Sequence, residues 1–255
     1  DAALEASSPP DAEPLPFDAG ADAPSRPSYC TGIRFYLGFD DTMTSAQGDV
    51  PAATFSATFE PGKVGQAVRL DGPVNLYYAA VPDAGPPRYD IAQGTRALWI
   101  KPKWPFPGAA ERTFARPKES LVNSGAGGPT IALEPRQTGA LLGLFVEGQA
   151  SASGLAADSI PHWNQTGWNH LAATWRLTGA PSLTFTLNGG TGDAGITHRT
   201  SMVAWTPPQV AAYVRLGSTT NPMEASADDL VVWSRVLSLA ELRAVYDDAM
   251  GGRSV

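Results

Sequence analysis

The sequence predicts an all-β fold: an antiparallel β-sandwich followed by one short C-terminal α-helix. Three observations carry this. From Thr31 onward, short apolar segments recur with Gly, Pro, Asn and Asp residues between them, the pattern of a sandwich or barrel. A chain of 255 residues that is 43% apolar is able to bury a large core, and a β-sandwich of this length is normally one domain. After Trp233 the period changes, and Leu239, Leu242, Val245, Tyr246 and Ala249 recur at the spacing of a single helix face.

Taken in order, residues 1–29 come first and stand apart from the rest. They are rich in Ala, Pro and Asp and nearly devoid of large apolar side chains, so they bury too little surface to offset their ordering entropy. A disordered, semi-extended tether is predicted there, with the folded domain over 30–255. Six acids against Arg26 alone give the tether a charge of −5 out of a total of −7, leaving −2 for the domain. A nearly neutral domain lacks the clustered Lys and Arg that nucleic acid requires, so no nucleic-acid partner is expected. No apolar run reaches the roughly 18 residues of a membrane span. Cys30 is the single cysteine, which excludes an internal disulfide; burial as a small hydrophobe is its expected fate.

Ile33 to Phe39 is the opening strand, followed by a polar loop over 40–45, and Ala53 to Phe59 alternates as a second strand. Arg96 to Pro102, Leu121 to Gly125 and Gly143 to Glu147 are further strand segments. The clearest hairpin runs from Trp168 to Asn188: Leu171, Ala173, Trp175 and Leu177 share one face of its first strand, and Leu183, Phe185 and Leu187 share one face of its second. Thr178-Gly179-Ala180-Pro181 makes its turn, and Asn188-Gly189 is a strong turn signal after it. The last segment is ADDLVVWSRVLSLAEL, from Ala227 to Leu242. Ser238 and Glu241 have the spacing of a capping box, Leu237 and Leu242 that of a hydrophobic staple, and Gly251-Gly252 supplies the stop.

Two of these blocks resemble the laminin-G-like jelly-roll domains of the concanavalin A-like lectin/glucanase superfamily. The closing segment matches that family's signature at Ala227, Asp228, Asp229, Leu230, Trp233, Arg235, Leu237, Ser238, Glu241 and Leu242. Pro61 to Gly72, PGKVGQAVRLDG, matches a second block almost residue for residue. The resemblance implies a jelly roll in which Trp99, Trp168, Trp175 and Trp233 pack inside or close an edge. It also implies a structural Ca2+ ion where the first and last strands meet, with Asp40, Asp41, Asp228 and Asp229 as candidate ligands. Calcium takes six to eight oxygens, and the loop after Asp41 departs from the family's commoner acidic, Gly-rich form, so Asp228 capping backbone N–H groups without metal is the competing reading.

Signs of catalysis are absent from the sequence. Laminarinase-like hydrolases of the superfamily carry Glu-x-Asp-x-(x)-Glu on one strand, and no such triplet occurs. There is no Gly-x-Ser-x-Gly, and His162, His170 and His198 lack metal-ligand spacing. Gly125-Ala126-Gly127-Gly128 is followed by proline and a strand, which makes it a hairpin tip and not a phosphate loop. Trp104, Trp163 and Trp205 lie in Pro-rich, loop-like surroundings and are the candidate ligand-binding residues, since sugar faces stack on exposed rings.

The expectation is therefore a noncatalytic binding module, glycan-binding with a structural calcium ion. A protein–protein adhesion or scaffold domain acting on a cell-surface protein is the alternative, and a hydrolase without a recognisable motif comes third. The acidic Pro/Ala leader is similar to the spacer of an exported bacterial lipoprotein. That similarity sets the expectation of an extracytoplasmic location in the cell envelope or secreted, with a lipid anchor upstream; a linker to another domain is the plainer reading of the same composition.

Overall fold

The computed structural model describes residues 26–52, 58–71, 75–83, 85–88, 90, 92–103, 122–123, 131–136, 141–146, 153–154, 162–164, 166–176, 179–190, 195–201, 213–217 and 224–255. Most of the predicted tether, Trp104, Trp205 and the segment 53–57 lie outside the described residues. The strands run in chain order as β1 (Ile33–Leu37), β2 (Thr58–Pro61), β3 (Gln66–Leu70), β4 (Asn75–Ala79), β5 (Gln93–Pro102), β6 (Val122–Asn123) and β7 (Ile131–Arg136). They continue with β8 (Leu141–Val146), β9 (Ser153–Gly154), β10 (Asn169–Arg176), β11 (Ser182–Leu187), β12 (Ile196–Ser201), β13 (Tyr213–Gly217) and β14 (Ala225–Trp233). A single α-helix among the described residues, α1 (Leu239–Met250), follows.

The strands form two antiparallel sheets, so the all-β sandwich is the observed architecture. The eight-stranded sheet has the order β12-β11-β10-β5-β14-β3-β2, with β1 also pairing β14; the six-stranded sheet has the order β4-β13-β6-β7-β8-β9. Period-two alternation divides the large sheet into two apolar faces. Leu98, Ile100, Leu171, Ala173, Trp175, Leu183, Phe185, Leu230 and Val232 face the smaller sheet and meet its Leu76, Tyr78, Val214 and Leu216. The intervening Ala97, Ala172, Val231 and Trp233 form a second cluster on the outer face with Leu237, Leu242 and Val245, so α1 covers the outside of this sheet.

The helix begins where the sequence predicts. The Ser238 side chain accepts a hydrogen bond from the Glu241 N–H and the Glu241 carboxylate accepts one from the Ser238 N–H, completing the capping box. Glu241 also pairs with Arg235, whose guanidinium donates to the Thr31 and Ser28 carbonyls, so the cap ties α1 to the start of the domain. That start already belongs to the packed structure. Ser28–Cys30 form a 3-10 turn, Tyr29 is buried, and its carbonyl accepts a hydrogen bond from the Trp233 indole at 2.6 Å. Cys30 is half-buried against the same outer cluster.

Trp163 sits differently from expectation, whereas Trp99 and Trp233 are buried as expected but on the outer side of the large sheet. Trp163 is not an exposed loop residue: it is 5% exposed and belongs to the inter-sheet core. Trp233 does not pack between the sheets but under α1 on the outer face, and Trp99 projects to that outer side as well. Trp175 is where the alternation puts it, fully buried, with its indole N–H donating to the Asp90 carbonyl at 3.0 Å.

Two predictions follow from this packing. Trp163→Ala and Trp175→Ala each remove a large buried aromatic and should each cost about 3–5 kcal/mol, read as reduced urea midpoints; near-full stability of Trp163→Ala would return that ring to the surface. The second concerns acid. The hydrogen bond from Arg235, with those from Ser238, holds Glu241 down at about 2. Its folded-state value lies below its unfolded value of about 4.3, so its contribution is present above that pH and is lost as pH falls towards the folded value. Stability of the native protein should therefore drop more steeply than that of Glu241→Gln between roughly pH 4.5 and 2 in urea titrations, the two converging at the acid end.

Candidate functional site

The four candidate calcium ligands lie around the turn between β2 and β3, and their geometry is chiefly that of a backbone clamp. Asp228 is fully buried: its Oδ2 accepts hydrogen bonds from the N–H groups of Lys63 at 2.7 Å and Val64 at 3.0 Å, and its Oδ1 accepts one from the Asp229 N–H at 2.8 Å. Asp40 Oδ1 accepts from the Gln66 N–H at 2.9 Å, holding the far end of the same turn. Asp229, at a φ of +46°, takes a hydrogen bond from the Tyr36 hydroxyl on Oδ1 at 2.6 Å, while its Oδ2 is buried without a hydrogen-bond partner. Asp41 is exposed at a φ of +56°.

Burial pushes both Asp228 and Asp229 well above the usual carboxylate range, and each is raised further by a neighbouring acid, Asp229 and Asp40 respectively. Among the described residues no three or more His, Cys, Asp or Glu side chains form a group able to hold a metal. The four candidate ligands therefore do not form a carboxylate cluster of that kind. Asp228 spends its oxygens on three N–H donors, which leaves them poorly placed to face a cation, and Asp41 points to solvent.

A second feature stands on the outer face of the large sheet. A cleft of about 400 Å³ opens between the C-terminal half of α1, the β2–β3 turn and the 162–168 loop. Alternation along β5 sends Leu98 and Ile100 inward and Trp99 outward, under Tyr246 of α1. The two rings stack with centroids 5.4 Å apart and planes 23° apart, and His170 packs against both, at 5.0 Å from Trp99 and 5.9 Å from Tyr246. Complete burial lowers His170 to about 3, so it is a neutral part of this aromatic floor. Lys63 Nζ lies 5.1 Å from the centroid of Trp99. Trp163, half-buried Trp168 and the side chains of Asn164 and Asn188 complete most of the wall.

Two buried asparagines fix that wall. Asn188, in the left-handed region at a φ of +48°, accepts from the His170 N–H and donates to the His162 carbonyl at 2.7 Å. Asn169 bonds both backbone groups of Asn164, accepting from its N–H at 2.7 Å and donating to its carbonyl at 2.8 Å. Each amide replaces a missing backbone partner, so His162 and Asn164 are tied to β10 and its neighbouring turn. Gly189 lets the helix come close: at a φ of +79°, a Cβ there would stand 2.9 Å from the Tyr246 ring.

Of the sequence-predicted ligand-binding residues, Trp163 lines this cleft, from a buried position. Trp104 and Trp205 lie outside the described residues. The sequence reading missed Lys63, Trp99, Trp168 and Tyr246 as site residues. A signal for Trp99 existed, because it alternates out of phase with the core residues Leu98 and Ile100. Tyr246 was hidden in the apolar stripe of α1, where a ring that packs and a ring that binds look alike.

No protein-family model matches the sequence, and no curated protein matches it either. Solved structures match its fold. The binding domain of Paraclostridial Mosquitocidal Protein 1 superposes with a TM-score of 0.65 at 12% identity over 86% of this chain and 53% of that one. The binding domain of botulinum neurotoxin DC, in complex with SialylT, gives 0.64 at 9% identity over 87% and 52%. Domain 4 of AbnA, a GH43 extracellular arabinanase from Geobacillus stearothermophilus, in complex with arabinotriose, gives 0.59 at 15% identity over 84% of this chain and 98% of that domain. The chain thus spans about half the length of the toxin binding domains it matches, and nearly all of the arabinanase domain. At these identities the likeness is one of fold: an all-β sandwich shared with domains that bind.

Proposed function

We propose that this chain is a noncatalytic glycan-binding module, with its site in the cleft beneath α1. The observation that carries the reading is the stacked Trp99–Tyr246 pair at the cleft, flanked by Trp168 and the Asn164 side chain. A pyranose presents an apolar C–H face to an aromatic ring and hydroxyls to amides, and a few placed polar groups on an aromatic wall are what such a ligand selects. No carboxylate is found among the described residues lining the cleft, whereas glycoside hydrolysis takes two. The cleft therefore suits holding a sugar and not cleaving its bond. That structural relatives include an arabinanase domain with arabinotriose and a toxin binding domain with SialylT supports the same direction.

Two expectations from the sequence enter this proposal on separate footings. An extracytoplasmic location rests on the acidic Pro/Ala composition of residues 1–29 alone. A structural calcium ion rests on the buried, unpartnered Asp229 Oδ2 beside Asp40, and no part of glycan binding depends on it. Stripped protein should melt at a higher temperature in calcium than in chelator if an ion occupies that corner, by mass action on the folded state. Identical melting temperatures would assign the acids to turn clamping alone.

The functional test uses the half-buried rings, which the core does not need. Tyr246→Ala and Trp168→Ala should each weaken binding to a bound oligosaccharide at least tenfold from a micromolar to millimolar starting affinity, about −8 to −4 kcal/mol, measured by calorimetry. Their melting temperatures should fall by far less than that of Trp175→Ala. A protein that binds no member of a broad glycan array refutes the module, and full affinity in both variants refutes the cleft.

A further inference from the structure

Lys63 is the one formally charged side chain among the described residues lining the cleft. The arginines of the nearby helical region are neutralised: Arg235 pairs with Glu241, Arg243 with Asp247 and Arg253 with Asp248. Lys63 forms no ion pair among the described residues and rests its ammonium over the Trp99 ring. His170, neutral beneath the same rings, adds nothing to the sign of the site.

The position of Lys63 is also constructed and not incidental. Its own N–H and that of Val64 are donated to buried Asp228, and the Gly62 N–H is donated to the Gly65 carbonyl at 2.9 Å, so the turn is pinned on both sides. Gly62 cannot carry a side chain there, because a Cβ would stand 2.5 Å from Asp228 Oδ2. Asp228, singled out from the sequence as a candidate metal ligand, thereby fixes the backbone from which Lys63 projects. A cation presented from a pinned turn loses less freedom on binding than one on a mobile loop, and its charge-assisted hydrogen bonds are correspondingly more effective.

We infer that the glycan held by the cleft carries an acidic sugar unit, whose anionic group pairs with the Lys63 ammonium while the ring lies against the Trp99–Tyr246 edge. This inference rests on the glycan reading above and adds the class of its ligand. A neutral sugar covering Lys63 would strip water from the ammonium without replacing it by an anion, and the affinity difference between charged and neutral forms of one sugar is the specificity the site supplies. The anion is a hexuronate carboxylate or a sulfate ester, which share this chemistry.

The experiment compares matched pairs: oligogalacturonate with its methyl ester, and a sulfated galactan oligosaccharide with its desulfated form, each titrated against wild type, Lys63→Met and Lys63→Arg. Wild type should bind the anionic member of at least one pair about tenfold more tightly, with the preference shrinking as salt rises from 50 to 500 mM. Which pair shows it identifies carboxylate or sulfate. Lys63→Met, which keeps the apolar stem over Trp99, should bring the anionic member down to its neutral partner, while Lys63→Arg should retain the preference. Melting temperatures should match, because the clamp uses the Lys63 backbone N–H in all three proteins. Equal binding of charged and neutral members, or a preference that survives Lys63→Met, overturns the inference while leaving the glycan module standing. Failure to bind either member of both pairs, or any glycan on an array, overturns both.

Discussion

The buried carboxylate of Asp228 joins the central strand β14 to the β2–β3 turn. β14 is the strand on which the large sheet is assembled: β5 pairs along one edge, while the opposite edge is shared, β3 taking Ala225–Ala227 and β1 taking Leu230–Trp233. At the handover the register with β5 shifts between Asp228 and Val231, and Asp229 adopts a left-handed conformation that an aspartate tolerates better than most side chains. A break of this kind exposes N–H groups that no strand satisfies. Asp228 satisfies the Asp229 N–H there and two more on the β2–β3 turn, and hydrogen bonds to a charged or strongly polar acceptor are each worth about 1.5–3 kcal/mol, with a comparable cost if the donors are left buried and unpaired.

That clamp has consequences beyond stability. It places Lys63 over Trp99, and Trp99 lies on the outer face because β5 alternates strictly through this region. The outer face of a sandwich sheet is ordinarily where polar residues meet water. Here it is apolar enough to bury α1, and the helix is positioned by the Ser238–Glu241 cap at its start, by Tyr29 and Trp233 beneath it, and by Gly189 near its end. The cleft is what remains uncovered where the helix stops short of the 162–168 loop.

The fold likeness and the cleft bear on function in different ways. The sandwich is shared with toxin binding domains and an arabinanase domain, but a fold of this kind hosts many functions and does not choose among them. What bears on ligand class is local: stacked rings, amides fixed by backbone hydrogen bonds and, among the described lining residues, one cation without an ion pair and no carboxylate. In the proposed reading this composition holds a polar ring with an apolar face, and the cation sets the sign of the ligand.

Legibility in the sequence followed the range of the interactions involved. Alternation in Leu171 to Trp175 and Leu183 to Leu187, the Asn188-Gly189 turn and the Ser238–Glu241 cap are local in sequence, and each appears in the structure where it was read. The sandwich, the terminal helix and its register followed from them. The side on which a tryptophan lies was not legible in the same way, since Trp163 occupies loop sequence and yet reaches the core through a loop that Asn169 and Asn188 fold back. Nor was the role of Asp228, because a carboxylate receiving three N–H bonds and one receiving a metal have the same neighbours in the chain. The cleft joins residues 63, 99, 168 and 246, which no period connects. Sequence by itself determined the β10–β11 hairpin, its alternating faces and the helix cap, since each depends on residues a few positions apart; only tertiary structure decided where α1 lies and hence which rings it leaves open, because that is settled by packing between segments far apart in the chain.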